Sequence, residues 1–311
     1  MAVKLRHFVS ISDLSSSEIL KVLGVARKLK REVKTKKGNK KVLSGKTLVT
    51  IYEKPSLRTR ISFEIGMTQL GGNSIYLAPT DIQMGTRESI SDISIVTSSM
   101  ADIIMARTFA HETVVELAKY SSVPVINGLT ELEHPCQILA DLLTIKETKK
   151  KLQGLTVAFV GDCNNNVVHS FALACALLKV NFRACAPKGY FMNKTILSRA
   201  RDLATKSEIV EVKNPNDAVA NADVVVTDTW VSMGRESEKK ERLKIFNPFQ
   251  VNLKLMGKAN KNAIFMHCLP AYRGSEVTAE VIDGPQSVVF QEAENRLHAQ
   301  KALMLTLLNL T

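Results

Sequence analysis

The chain has little of what marks several common classes of protein. Its five cysteines (Cys136, Cys163, Cys175, Cys185 and Cys268) are odd in number, unevenly spaced and without a C-x-x-C pair. That disfavours a disulfide framework and a zinc site alike and predicts reduced thiols. No apolar run is long enough to cross a bilayer. The opening "MAVKLRHFVSISDLSSSE" lacks the charged, apolar and small-residue regions of a signal peptide and the Arg- and Ser-rich pattern of a transit peptide. A soluble, cytoplasmic protein without a membrane partner is expected. Aromatic residues make up only 5%. None of them interleaves with the lysines of "KLKREVKTKKGNKK" (28–41), as a platform for stacked single-stranded bases requires. The turn "GDCNNN" lacks the glycines of G-x-G-x-x-G, and no G-x-x-x-x-G-K-[ST] loop occurs, so neither a dinucleotide nor a nucleoside triphosphate is expected.

What remains is a chain of 311 residues, 45% hydrophobic and 23% charged, able to bury a large core and long enough for two domains. A net charge of +12 leaves nucleic acid, an anionic membrane surface or small anionic substrates as partners. The basic stretch reads as a solvated helix end and loop. "SSSEILKVLGVARKLKREV" places Ile19, Leu20, Leu23 and Leu29 at helical spacing behind a serine-rich cap. Strand-like runs follow at "KTLVTIY", "SIYLA", "DIIMA" and "VPVIN", separated by helix-like segments. After the charged junction "KETKKKLQG" the alternation restarts with "LTVAFVGD", "NFRACAP", "EIVEVK", "ADVVVTD", "AIFMHC" and "SVVFQ". This rhythm predicts an α/β protein of two domains, each a parallel sheet flanked by helices. The closing amphipathic segment "EAENRLHAQKALMLTLLNL" is expected to pack back on the first half.

Ligands of open parallel sheets bind beyond the carboxyl ends of the strands, and here those ends carry the unusual polar residues. In the first half they are "KPSLRTR", Arg107 and "LEHPCQ"; in the second, "GDCNNN", "DTWVSMG" and "HCLPAYRG". One cleft between the halves is expected to gather them. A helix starting near Ser56 offers free N–H groups and a positive dipole end to a phosphate. Arg58 and Arg60 are two apart and cannot share a helix face; Glu64 can pair with Arg60, leaving Ser56, Arg58 and Thr59 for the anion. His134 precedes Pro135 at a helix start, with Gln137 three residues on, a pair suited to orienting or polarising a carbonyl. Arg107 ends an apolar strand and needs an anionic or carbonyl partner. Asp228 suits a substrate ammonium. The asparagines of "GDCNNN" either bind a carboxylate or cap the next helix. Cys268 is either a buried inert thiol or one activated by electropositive surroundings.

Taken together, and in this order, "HFVSISDLSS", "KPSLRTRISFE", "DIQMGTRESISD", "SSMADIIMAR", "EHPCQILAD", "GDCNNNVVHS", "DTWVSMG", "HCLPAYRG" and "EAENR" resemble the aspartate/ornithine carbamoyltransferase family, and most of all its ornithine branch. The resemblance covers essentially the whole chain. It implies a carbamoyl-phosphate domain over 1–147, to which a helix at about 292–311 returns, and an ornithine domain over 148–291. By the same matching, Ser56, Leu57 through its backbone, Arg58 and Thr59 hold the phosphate, and Arg107, His134 and Gln137 bind the carbamoyl end. Gln83 reaches a neighbouring subunit's phosphate site in a trimer or multiple of trimers. Asn166 takes the α-carboxylate of ornithine and Asp228 its α-amino group, with Ser232 and Met233 in a loop closing over it. Cys268, Leu269 and Arg296 complete the site, and no metal or organic cofactor is implied. Leu57 departs from the family's S-T-R-T-R. A related enzyme using putrescine or acetylornithine as acceptor is the alternative.

Overall fold

The computed structural model describes residues 7–35, 38–231 and 236–311. The chain divides into two compact units, Met1–Leu143 with Glu294–Thr311, and Thr144–Ala293.

In the first unit, α1 (Ser16–Lys34) opens on a capping box in which Ser15 and Glu18 satisfy each other's backbone N–H. It buries Ile19, Val22, Leu23, Ala26 and Leu29. Leu20, expected on the same face, is 41% exposed, because one residue on from Ile19 turns it about 100° off that stripe. Then come β1 (Thr47–Tyr52), α2 (Leu57–Leu70), β2 (Asn73–Leu77), α3 (Pro79–Ile82), α4 (Ile90–Met100), β3 (Ile103–Arg107), α5 (His111–Tyr120), β4 (Val125–Leu129) and α6 (Pro135–Lys149). The strands form one parallel sheet in the order β2-β1-β3-β4. Ile103, Ile104, Met105 and Ala106 are fully buried, as an interior strand covered on both faces requires. Each such aliphatic side chain contributes about 1.5–3 kcal/mol by leaving water. The β3–β4 register shifts between Ala106 and Arg107, a bulge that re-aims the strand end where Arg107 sits.

The second unit holds β5 (Thr156–Val160), α7 (Asn166–Leu178), β6 (Asn181–Cys185), α8 (Lys194–Leu203), β7 (Ile209–Val212), α9 (Pro215–Val219), β8 (Val224–Val226), α10 (Lys239–Phe246), α11 (Leu253–Met256), β9 (Ile264–Met266) and α12 (Ala279–Ile282). Its sheet is parallel, ordered β7-β6-β5-β8-β9. "SVVFQ" is not a sixth strand. Phe265 of β9 donates its N–H to Gln286 O and accepts from Val288 N, a single bridge, and α13 (Val289–Leu307) then begins. A short β-branched run has no period that separates a strand from a helix start.

From Glu294 onward α13 belongs to the first unit. There the Lys301 ammonium donates to Asn39 (2.7 Å) and Gln69 (2.5 Å), and Ala299, Ala302, Leu303 and Met304 are fully buried. Both sheets reverse strand order at their first strand: β1 has β2 on one side and β3 on the other, β5 has β6 and β8. Such a switch point leaves a crevice at the carboxyl end. "KPSLRTR" and "GDCNNN" lie in those two places.

Candidate active site

In the first unit, β1 runs into α2 through Ser56, whose side chain makes no capping bond, so the first N–H groups of a 14-residue helix are not used up by it. Arg60 turns away as expected: its Nε donates to Glu64 Oε1 at 2.8 Å and its guanidinium lies over the Tyr76 ring. Thr59, by contrast, is buried. Its hydroxyl accepts from Arg296 Nη2 (3.1 Å), while Arg296 Nη1 donates to Gln137 Oε1 (2.5 Å), whose own amide N–H donates to Asp141 (2.8 Å). With the Gln300 amide oriented so that its oxygen accepts from Arg296 Nη2 and Nε, its nitrogen reaches Ser62. Residues from α2, α6 and α13 are thereby locked into one polar cluster.

His134, just before α6, is buried against this cluster. Burial first, then the cations Arg296, Arg107 and Arg58, hold its imidazolium well below the usual range, so it is neutral at pH 7. Arg107 is itself buried at the end of β3. Lys54, which the sequence reading leaves without a role, faces the same group: burial first and then Arg107 lower its pKa, and its ammonium lies 4.2 Å from the centre of the Phe109 ring. Three arginines and a lysine around a neutral histidine make a site for an anion with a polarisable carbonyl. Leu57 is 68% exposed, in keeping with a backbone role only. Gln83, exposed and left-handed at φ 49°, lines a cavity of about 290 Å³ with Tyr52, Glu53, Met84 and Phe109. Cys136, within "HPCQ", is structural: buried, donating to Asn127 O, its pKa pushed up to about 12 by burial.

The second unit presents different chemistry. Asp228, just beyond β8, accepts from the Cys268 thiol (3.2 Å) and from Thr229 N (2.8 Å). Burial raises its pKa, an effect opposed by His267, Cys268 and Thr229. His267 Nδ1 accepts from Leu269 N at 2.9 Å, which puts the proton of a neutral ring on Nε2, 3.4 Å from Glu276. That bond also holds Leu269 in the left-handed region, φ 57°, uncommon for a branched side chain. Ligand-type atoms of Asp228, His267 and Cys268 lie within 4.8 Å of one another, a spacing open to a divalent cation, but these side chains already bond among themselves and to the adjacent backbone.

At the other loop Asn165, not Asn166, caps α7, accepting from Val167 N and Val168 N. Asn166 is the first helical residue, half-buried. The two loops are stitched together by Thr227 Oγ1, which donates to Val160 O at 2.6 Å. Gly161 follows at φ 143°, where an added Cβ would lie 3.3 Å from that hydroxyl. Ser232 and Met233 lie outside the described residues.

The structure therefore gathers Thr59, His134, Gln137, Arg107, Arg58 and Arg296 in one unit, and Asp228, Cys268 and Leu269 in the other, with Asn166 at the start of α7 after the adjoining loop. Sequence reasoning missed Lys54, Asp141, His267, Glu276 and Gln300. Lys54, Asp141 and His267 stood inside quoted motifs without a role, whereas Gln300 and Glu276 lay outside them and are placed by their contacts with Arg296, Ser62 and His267.

Two doubly wound halves with polar residues gathered at their switch points define an α/β enzyme of the two-domain type. Residues 6–147 match the family model "Aspartate/ornithine carbamoyltransferase, carbamoyl-P binding domain", and residues 153–307 match "Aspartate/ornithine carbamoyltransferase, Asp/Orn binding domain". The chain is 50% identical over 309 residues to the ornithine carbamoyltransferase of Anoxybacillus flavithermus, covering 98% of each, and 48% identical over 307 residues to that of Bacillus subtilis, covering 97% of this chain and 94% of the relative. The solved ornithine carbamoyltransferase of Pyrococcus furiosus superposes with a TM-score of 0.93 at 46% identity, over 96% of each chain. The anabolic enzyme of Campylobacter jejuni gives 0.92 at 42%, over 99% of this chain and 100% of that one. The chain belongs to the aspartate/ornithine carbamoyltransferase family.

Proposed function

We propose that this protein transfers the carbamoyl group of carbamoyl phosphate to the side-chain amine of L-ornithine, giving L-citrulline and phosphate, and that it serves arginine biosynthesis in the cytoplasm. One observation carries the reading: strand ends of opposite chemistry, cationic with a neutral histidine in the first unit, a carboxylate paired with a thiol in the second. The first suits a phosphorylated carbonyl, the second an amino acid's ammonium. The relatives named ornithine carbamoyltransferase, about half identical over nearly their whole length, support the same substrate pair.

The chemistry follows from these groups. Ser56, the Leu57 N–H, Arg58 and Thr59 hold the phosphate at the α2 N-terminus, with Lys54 and Arg296 adding charge. Arg107, the neutral His134 and Gln137 take the carbamoyl end. Asp228 pairs with the α-ammonium and Asn166 with the α-carboxylate, while Cys268 and Leu269 border them. The side-chain amine, with a free pKa near ~10.4, attacks only when neutral. As its nitrogen bonds to the carbonyl carbon, Arg107 and His134 stabilise the negative oxygen. The C–O bond to phosphate then breaks, Arg58 and the helix dipole stabilise the leaving group, and the proton lost by the nitrogen ends on phosphate, so charge and atoms balance. No step calls for a metal or organic cofactor, because the carbamoyl group arrives activated.

The assembly proposed is a trimer or multiple of trimers in which Gln83 reaches a neighbouring copy's phosphate. Supporting it, Leu57, Ile61 and Ile65 form an exposed apolar row along α2, and Ile75 is exposed on the edge strand β2. Light scattering gives the mass; a fully active monomer contradicts it. Five free thiols are in keeping with a reducing compartment, and among the described residues no helix is long and apolar enough to cross a membrane. The deciding experiment supplies purified protein with carbamoyl phosphate and L-ornithine, with L-aspartate, N-acetylornithine and putrescine in parallel. Citrulline from ornithine, with the other acceptors inert, is expected; product from another acceptor alone, or from none, refutes the reading.

A further inference from the structure

The two loops that carry Asn166 and Asp228 meet at a side chain that belongs to neither. Arg242, on α10, is 1% exposed. Its Nη2 donates to Asp162 Oδ2 in the turn after β5, and its Nε donates to the carbonyl of Trp230 in the segment after β8. Its Nη1 lies 3.3 Å from Glu238, which is 47% exposed. The guanidinium stands over Tyr190 and Phe246, at 5.0 and 5.2 Å, and Trp230 stacks on Phe246 at 5.8 Å. Asp162 uses its other oxygen to accept from Asn164 N (3.0 Å), and its carbonyl accepts from the Asn165 side chain. The planar fork of one arginine thus ties the turn that starts α7 at Asn166 to the strand exit two residues past Asp228.

A buried ion pair is a poor source of stability, since the cost of taking both charges out of water roughly offsets their attraction. A fixed geometry is what it supplies. We infer that Arg242 is a positioning residue for the amino-acid half of the reaction: it touches no substrate, but sets the separation and orientation of Asn166 and Asp228, so that α-carboxylate and α-ammonium are gripped together. Lysine cannot replace it, because a single ammonium reaches Asp162 or the Trp230 carbonyl but lacks the fork that reaches both.

The inference rests on the proposed roles of Asn166 and Asp228, and the test separates the two. Steady-state kinetics are measured on wild type, Arg242→Lys, Arg242→Met and the pair Asp162→Asn with Arg242→Met, which leaves no unpaired buried charge if the single methionine variant does not fold. Amide hydrogen exchange is followed in the same proteins. The KM for ornithine is expected to rise roughly tenfold or more while that for carbamoyl phosphate changes less than about twofold. The lysine variant recovers part of the loss, and amides of 162–166 and 229–230 exchange faster. The double variant is no worse than Arg242→Met, since both changes cut one tie. An unchanged KM for ornithine in a folded Arg242→Lys or double variant overturns the inference, as does an equal rise in both KM values. A wild type that makes no citrulline refutes the proposed reaction instead; exchange then decides on Arg242, unchanged protection at both loops sinking it and faster exchange supporting it.

Discussion

Beyond β1 and β3 the first unit surrounds a neutral His134 with Arg58, Arg107 and Arg296, whereas beyond β8 and β9 the second sets Asp228 against Cys268, with His267 and Glu276 behind them. The two sheets share parallel pairing and a reversal of strand order at the first strand. What they present there is opposite in charge. The architecture supplies two equivalent crevices, and a handful of side chains after each strand decides whether the place is cationic or acidic.

That contrast can be broken one side at a time. Arg107→Gly removes the proposed donor to the developing oxyanion and should lower turnover on the order of 10²- to 10³-fold, with circular dichroism and thermal unfolding marking a folded protein. Because Arg107 helps to depress His134, the imidazole pKa should also move up toward 6.5 in an NMR titration. Next, Asp228→Ala should weaken ornithine use roughly 10- to 100-fold, the worth of a charge-assisted contact, and leave carbamoyl-phosphate binding by calorimetry unchanged. Loss of both affinities would erase the division of labour.

Acid should also act differently on the two units. His298 on α13 is pushed down to about 4, by burial first and then by Lys301 and Lys30, against the partial support of Glu294 at 3.7 Å. An unfolded histidine takes its proton near pH 6.5, so the unfolded chain binds it first, and stability is lost as pH falls from about 6.5 to 4. His134 adds in the same direction. Asp228, whose folded pKa is raised, acts the other way: it is protonated more readily when folded, so acidification relieves the second unit. Denaturant unfolding at pH 7 and 4.5, with His298→Gln as control, should show a steeper acid loss that the substitution flattens. The smallest effect is Asn165→Ala, which uncaps α7 and should cost about 1 kcal/mol, seen as a thermal midpoint lower by about 2–4 °C.

Most strands were readable because a strand buried on both faces is a continuous apolar run; nine of the ten runs read are strands, the edge strands β2 and β7 being only partly buried. Their carboxyl ends then located the polar motifs. "SVVFQ" and Leu20 were misplaced where local pattern was too short or the helical angle decided. What pattern cannot convey is pairing at a distance: Gln137 with Arg296, 159 residues apart, or Asp162 with Arg242, 80 apart. His134's neutrality also depends on three arginines from separate elements, so no window of sequence around it predicts the shift.

The first unit is discontinuous in sequence: Arg296, which holds Thr59 and Gln137, and the buried face of α13 are synthesised only after all of residues 144–293. Domains usually form in the order in which the ribosome delivers them. Here the later one is complete first. The first unit must wait, with the side of α2 that α13 will cover still open to water, for its final helix. The polar cluster around Arg296 is then finished by the same event that closes the core, so a chain cut short before α13 lacks both a sealed first unit and the guanidinium that Thr59 and Gln137 hold.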